Sequence, residues 1–317
     1  MHTWNDKVKL IISDVDDTIA PVYKNASNEM IREIEKLLSE EKVIFFLSGQ
    51  SYTNVYGRVV EHIDQKLRQR VLLGVCNGAE VFGYDNDGNK ITDPVFSVEK
   101  LGNMNFDTVR LERVIDTILK EFSLVPYPVM EIEKFKEITN SNPLYIMMEN
   151  RRLQITFDFI NGLNFCDYDL PVNIPGILKN VQDIRVPVIK RAKQLLEQEG
   201  LDVEPYMAGT FAIDFNIKGV NKSLPIENLI SSGKAFCLDS CSKITFSDPD
   251  EIEIWGDSFS TLKNGADVFM SNAVPMECRT ISFRDFAHDE IPGNCNIVIW
   301  NGNYRLYDGL LEYLNSR

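Results

Sequence analysis

No apolar run in this sequence reaches the roughly 20 residues that a membrane-spanning helix needs. The opening stretch MHTWNDKVKL is too polar for a secretory signal, so a cytoplasmic protein with no membrane partner is the expectation. Cysteines are not paired in any repeated close spacing: Cys76, Cys166, Cys237, Cys241, Cys278 and Cys295 are scattered, which argues against a disulfide framework and for reduced thiols. Cys237 and Cys241 stand four apart, but two of the three histidines lie far from them, so a zinc site is not expected there. Positive charge is also short. Against 47 Asp+Glu there are 33 Lys+Arg, a net charge of −14. A binder of the nucleic-acid backbone needs concentrated positive charge, so no nucleic-acid partner is expected. An acidic enzyme that holds a small anion with a few placed donors remains open. Repeats, low-complexity tracts and Pro/Ser-rich linkers are absent too.

What is present is enough apolar material for a sizeable core: 317 residues, 44% hydrophobic and 25% charged. That length suggests two domains, or one large domain with an insertion. The first third alternates. VKLIIS, KVIFFLSG and RVLLGVCNG read as buried strands because their apolar residues run on without a polar face. Between the first two, Ser27 can cap a helix whose apolar face is Met30, Ile31, Ile34, Leu37 and Leu38, and TNVYGRVVEHI reads as the next helix. Strand and helix in this order indicate a parallel sheet with right-handed crossovers.

The middle reads differently. FGYDNDGNKITD is a hairpin around Asp87-Gly88; its acids are not a calcium loop, since the first ligand position would be Gly83 and the twelfth is Pro94. NPLYIMMENRRLQITFDFING reads as two antiparallel strands turning near Glu149–Arg151, flanked by helical patterns at 107–122 and 187–199. Parallel character then resumes in TFAIDFNI, with NKSLPIENLISSG a short helix and EIEIWGDS and ADVFMSNA further strands. The expected architecture is α/β: a Rossmann-like parallel-sheet core from 1–85 and 208–317, with an inserted α+β cap from 86–207.

Directly after the first strand come Asp14, Asp16 and Asp17, three carboxylates within four positions. At an effective dielectric near 20, two such charges about 5 Å apart repel by about 3 kcal/mol. In an open parallel sheet, ligands bind beyond the carboxyl ends of the strands. Other polar residues fall at such places: Ser48-Gly49 after the second strand, Asp257 after EIEIW, and Lys222 at the start of a helix. Singly, each could be an ordinary turn or solvated residue. Their joint occurrence favours a site.

These residues resemble the motifs of the haloacid dehalogenase superfamily, in family order. DVDDT (14–18) matches its Asp-x-Asp-x-Thr motif, LSG (47–49) its second, Asn221-Lys222 its third, and GDS (256–258) the start of its fourth. CNGAEVF (76–82) and MSNAV (270–274) resemble segments of the Cof-like sugar-phosphatase branch, whose large α/β cap lies between the second and third motifs. The resemblance implies a Mg²⁺-dependent phosphatase acting on a small phosphorylated metabolite such as a sugar phosphate. Mg²⁺ would turn the crowded carboxylates into ligands of a hard cation. By resemblance, Asp14 is the nucleophile that forms an aspartyl-phosphate, and Asp16 is general acid and then base. Asp14, Asp16 (by its carbonyl) and Asp257 hold the metal. Thr18 steadies the loop, Ser48 and Gly49 meet the phosphoryl group, and Lys222 offsets charge beside the nucleophile.

Three departures accompany the match. Asp17 stands where the family often has Gly and reads as a loop residue. The second acid of the fourth motif is missing from GDSFST, and Asp267 is too far along to be a safe substitute. Gln50 replaces a frequent Arg after Ser-Gly, which removes a fixed positive charge. In the cap, Arg151-Arg152 at a hairpin tip could clamp a second anion, or could be solvated turn arginines. MENRR also resembles the Glu-x-Arg of phosphomannomutase caps, so a phosphosugar mutase is the alternative enzyme. A non-catalytic metabolite-binding protein on a degenerate hydrolase core is the alternative outside enzymes. The sequence carries no sign of oligomeric state.

Overall fold

The computed structural model describes residues 4–102, 106–162, 183–231, 235–238, 243–262 and 265–317. They fall into two compact units, Met1–Leu101 with Val220–Arg317, and Gly102–Gly219. In the first unit β1 (Leu10–Asp14), α1 (Asn28–Ser39), β2 (Val43–Leu47), α2 (Tyr52–Arg58) and β3 (Val71–Val75) alternate, followed by β4 (Glu80–Phe82) and β5 (Phe96–Ser97). Ser27 caps α1, its side chain accepting from the Met30 N–H at 3.1 Å, and the five apolar residues of the predicted face are buried.

The chain then builds the second unit: α3 (Thr108–Glu121), β6 (Val125–Tyr127), α4 (Ile132–Ile138), β7 (Tyr145–Asn150), β8 (Gln154–Asp158), α5 (Arg185–Glu199), β9 (Val203–Ala208) and β10 (Ala212–Ile217). On its return to the first unit it forms α6 (Ser223–Leu229), a small antiparallel sheet of β11 (Ile230–Ser231), β12 (Ala235–Cys237) and β13 (Lys243–Thr245), then β14 (Ile252–Gly256), α7 (Val268–Asn272), β15 (Arg279–Ser282), β16 (Asn296–Ile299) and α8 (Leu306–Asn315).

The large sheet runs β16-β15-β14-β1-β2-β3-β4-β5. Its first six strands are parallel, and β4 and β5 turn back antiparallel at one edge. β1, β2, β3 and β14 are buried along their whole length, as continuous apolar runs covered on both faces require. Because β2 lies on one side of β1 and β14 on the other, the strand order reverses at β1. That reversal opens a crevice at the carboxyl end of β1, where Asp14 sits.

The second unit is a five-stranded sheet, β6-β7-β8-β10-β9, antiparallel except for β6 and β7. Ile155 and Phe157 of β8 and Ile213 and Phe215 of β10 pack with Leu111, Ile115 and Ile118 of α3 and Val188, Ala192 and Leu196 of α5 in one apolar cluster. The alternate residues, Gln154, Thr156, Asp158, Asp214 and Asn216, take the opposite face and are buried as well.

Three expectations are corrected. The segment 86–101 belongs to the first unit, because β5 pairs with β4, and 208–219 belongs to the second, because β10 lies between β8 and β9. TFAIDFNI is therefore no parallel core strand. Its alternation of Ile213, Phe215 and Ile217 with Asp214 and Asn216 is the pattern of a sheet with two unlike faces. ADVFMSNA holds the helix α7 instead of a strand; the run Val268-Phe269-Met270 is too short for its period to decide. Cys241, of the rejected zinc pair, lies outside the described residues, as does Cys166. Among the described residues no helix is long and apolar enough to cross a membrane.

Phe157 is fully buried and meets Phe215 edge-on at 5.0 Å. Phe157→Ala should lower the stability of the second unit by about 3–5 kcal/mol, measured as a shift of its urea unfolding midpoint.

Candidate active site

Asp14 closes β1, and Lys222 stands just before α6; the Lys222 Nζ donates to Asp14 Oδ1 at 2.5 Å. The same ammonium donates to Asp267 Oδ1 at 2.7 Å. All three groups are buried. Burial alone would lower the Lys222 pKa, but Asp14 and Asp267 outweigh it, raise it and keep the ammonium charged. Burial pushes Asp14 well above the usual carboxylate range; Lys222 opposes that, and Asp267, Asp257 and Asp16 add to it.

Asp267 is the residue that reading along the chain set aside. The loop after β14 folds back on itself, with the Gly265 N–H donating to the Ser260 carbonyl at 2.8 Å and the Asp267 N–H to the Ser258 carbonyl at 3.1 Å. That fold brings a carboxylate from ten residues beyond Asp257 to the end of β14. Asp267 Oδ2 accepts from the backbone N–H groups of Asp257 (3.0 Å) and Ser258 (2.9 Å), which fixes Asp257 at the site. Gly256 is required by this approach: a Cβ there would lie 2.5 Å from Asp267 Oδ2. Asp14, Asp257 and Asp267 each offer an oxygen within 4.8 Å of the others, all buried.

Asp257 is held up to about 7, first by burial and then by Asp267, with Arg284 pulling against them. Arg284, two residues beyond β15, donates through Nε to Asp257 Oδ2 at 2.8 Å and reaches Asp17 Oδ2 at 3.3 Å. Asp17 adopts φ 61°, the left-handed region that favours glycine, in line with the Gly that the family often has there.

Asp16 is gripped on both oxygens. Oδ1 accepts from Arg58 Nη1 at 2.8 Å and Oδ2 from Ser48 Oγ at 3.1 Å. Arg58 ends α2 and is itself fixed by the Asn54 side chain and the Lys24 and Pro21 carbonyls. It returns a positive charge to a site where Gln50 has none. Ser48 Oγ also accepts from the Gln50 N–H at 3.0 Å. Beside it, Asn77 packs so close to Gly49 that a Cβ at 49 would lie 3.2 Å from the Asn77 amide oxygen. Thr18 is fully buried, and among the described residues its Oγ1 has no hydrogen-bond partner.

The structure thus brings together Asp14, Asp16, Ser48, Lys222 and Asp257 in the first unit, with Thr18 and Gly49 beside Asp16 and Ser48 along the chain. Arg151 lies in the second unit, between β7 and β8. It is buried, not a solvated turn arginine, and its Nε donates to Glu149 Oε2 at 2.6 Å. Asp267, Arg58 and Arg284 were missed. Only Arg284 gave a positional signal, just past the carboxyl end of a parallel strand.

This architecture is similar to that of the C-terminal domain of a C. albicans trehalose-6-phosphate phosphatase, with TM-score 0.55 at 15% identity, covering 98% of this chain and 92% of that one. It is similar to a protein of Eubacterium rectale (TM-score 0.54, 14% identity, 98% and 99% covered). It is also similar to an N-terminally truncated, IMP-bound IMP-nucleotidase of Plasmodium falciparum (TM-score 0.50, 12% identity, 98% and 68% covered). At these identities the likeness is one of fold. No protein-family model matches the chain, and no curated protein does.

Asp267 is almost fully buried, and its loss would leave Lys222 with half its counter-charge and two backbone N–H groups unpaired. Asp267→Ala should therefore lower the unfolding free energy by about 3 kcal/mol or more, as read by chemical denaturation. An unchanged midpoint would mean that Lys222 does not depend on it.

Proposed function

We propose that this chain is a phosphomonoesterase that works through an aspartyl-phosphate on Asp14, with a sugar phosphate as the substrate class. The observation that carries this reading is the arrangement around Asp14. A buried carboxylate is held by a buried ammonium at the carboxyl end of the central strand, with a second carboxylate, Asp16, fixed two residues on. Lys222 takes one oxygen of Asp14 and so fixes the rotation of the carboxylate. The other oxygen attacks phosphorus; the bond from phosphorus to the leaving alcohol breaks, and Asp16 gives that alcohol its proton. Water then attacks phosphorus, Asp16 takes back a proton, and the bond from Asp14 to phosphorus breaks to release inorganic phosphate. Arg58 holds Asp16 Oδ1 through both steps; the single Ser48 O–H, which lies on Asp16 Oδ2 before substrate arrives, turns to a phosphoryl oxygen and leaves Oδ2 to carry the proton. Ser48 Oγ and the backbone at Gly49 are the donors assigned to the phosphoryl oxygens.

The donor set fits a hard divalent cation: Asp14, Asp257 and Asp267 are buried with an oxygen of each within 4.8 Å of the others, and burial first, then the neighbouring carboxylates, holds Asp14 and Asp257 above the ordinary carboxylate range. Asp14, the Asp16 carbonyl and Asp257 would hold Mg²⁺, with Asp267 committed to Lys222 and to backbone N–H groups. When bound, the ion would neutralise charge on the phosphoryl oxygens. The second unit is assigned the choice of substrate. The polar face of its sheet, where Thr156 Oγ1 donates to Asp214 Oδ1 at 2.7 Å and receives from Gln154 Nε2 at 2.9 Å, carries chemistry suited to a hydroxyl-rich alcohol.

The test is phosphate release from an aryl phosphate and from a panel of phosphorylated metabolites, with and without Mg²⁺. Asp14→Asn should reduce turnover to background. Asp16→Asn should lose roughly 10²–10⁴-fold, most with poor leaving groups such as sugar alcohols. Asp257→Asn should raise the Mg²⁺ concentration needed. Wild-type protein that hydrolyses no phosphomonoester at any Mg²⁺ concentration would end this reading.

A further inference from the structure

Arg284 has no part in the chemistry above, yet it lies on a carboxylate assigned to the metal. Nε and Nη2 both approach Asp257 Oδ2, at 2.8 and 2.6 Å, and Nη2 also meets Asp17. Asp17 is an acid on a backbone conformation that favours glycine, so it is held there against a local penalty. Asp17 and Asp257 together form a two-carboxylate seat for one guanidinium. The seat has unequal depth: the Asp257 side chain is 9% exposed, whereas that of Arg284 is 47% exposed on a long, jointed stem. A guanidinium so placed can leave for solvent without unpacking the core.

A divalent cation on Asp257 and a guanidinium on Asp257 Oδ2 are two positive groups at one carboxylate, and they repel. We propose that Arg284 is a displaceable counter-ion of the metal site. It neutralises Asp257 and Asp17 in the metal-free protein and is released when a divalent cation takes Asp257. This rests on the metal assignment of the proposed function. Arg284 therefore stabilises the metal-free protein and weakens cation binding, and by linkage the cation loosens Arg284 to the same degree. A permanent clamp between the loop at Asp17 and the end of β15 would behave differently, holding both states equally.

The full chain, stripped with chelator, should be titrated with Mn²⁺ and with Mg²⁺ by calorimetry and by melting temperature. The proteins compared are wild type, Arg284→Gln and Arg284→Lys. Arg284→Gln should melt lower than wild type without metal and bind the cation about fivefold more tightly, the size expected of a half-exposed ion pair. Its cation-induced rise in melting temperature should be the larger. Arg284→Lys, which keeps the charge but not the fork, should fall between the two. A wild type that binds no cation beside an Arg284→Gln that does would support the proposal still more strongly. Equal or weaker binding by Arg284→Gln, with wild type binding well, overturns this proposal and leaves the metal assignment standing. No binding by any of the three overturns both.

Discussion

The Lys222 ammonium, buried with two carboxylates, is the constraint on which the site depends. An isolated charge so deep would have no compensation for the water it has lost. With Asp14 at 2.5 Å and Asp267 at 2.7 Å, it joins three parts of the chain that are far apart in sequence: the end of β1, the start of α6 and the start of α7. Asp267 in turn receives two backbone N–H groups from the loop after β14, so the position of Asp257 follows from the position of Lys222. One ammonium therefore sets the geometry of Asp14, of the loop and of Asp257.

Clustered acids are tolerated here because each has a specific cation. Lys222 serves Asp14 and Asp267, Arg58 serves Asp16, and Arg284 serves Asp257 and Asp17. These pairings differ in depth, and depth decides what each can do. Lys222 and Arg58 are buried and held by several acceptors, so they act as fixed parts of the scaffold. Arg284 is half exposed and so the least anchored of the three. Arg58 also accounts for the absence of an arginine at position 50: the charge is delivered from the far end of α2.

The second unit follows a different rule. Its sheet buries an apolar face against α3 and α5 and carries hydrogen-bonded polar side chains on the other. Alternation along β8 and β10 produces both faces at once, since successive side chains point to opposite sides. Gln154, Thr156 and Asp214 on that second face are buried and hydrogen-bonded to one another, so the sheet keeps two unlike faces.

Much was legible from the chain alone, because it depends on local order. Continuous apolar runs specified the parallel strands; Ser27 specified the start of α1; and carboxylates following the first such run marked the crevice, since a parallel strand must end at its sheet's edge. Asp14, Asp16, Ser48 and Asp257 all carry that positional signal, whereas Lys222 stands at a helix start after a strand of the other sheet. Where it failed, the deciding contact was between segments distant in sequence. TFAIDFNI fits either sheet until its partners β8 and β9 are known, although its alternation already favoured the antiparallel one. Asp267 looked too far from Asp257 because spacing along a chain says nothing about a loop that doubles back. Arg58 is an ordinary helix arginine in sequence and Arg284 only a residue past a strand end, and tertiary packing alone aims them at Asp16 and Asp257. The sequence by itself determined which strands are buried and where their polar ends lie. Tertiary structure alone decided which cation meets which acid, because a buried charge takes whatever partner the packing of remote segments brings within about 3 Å.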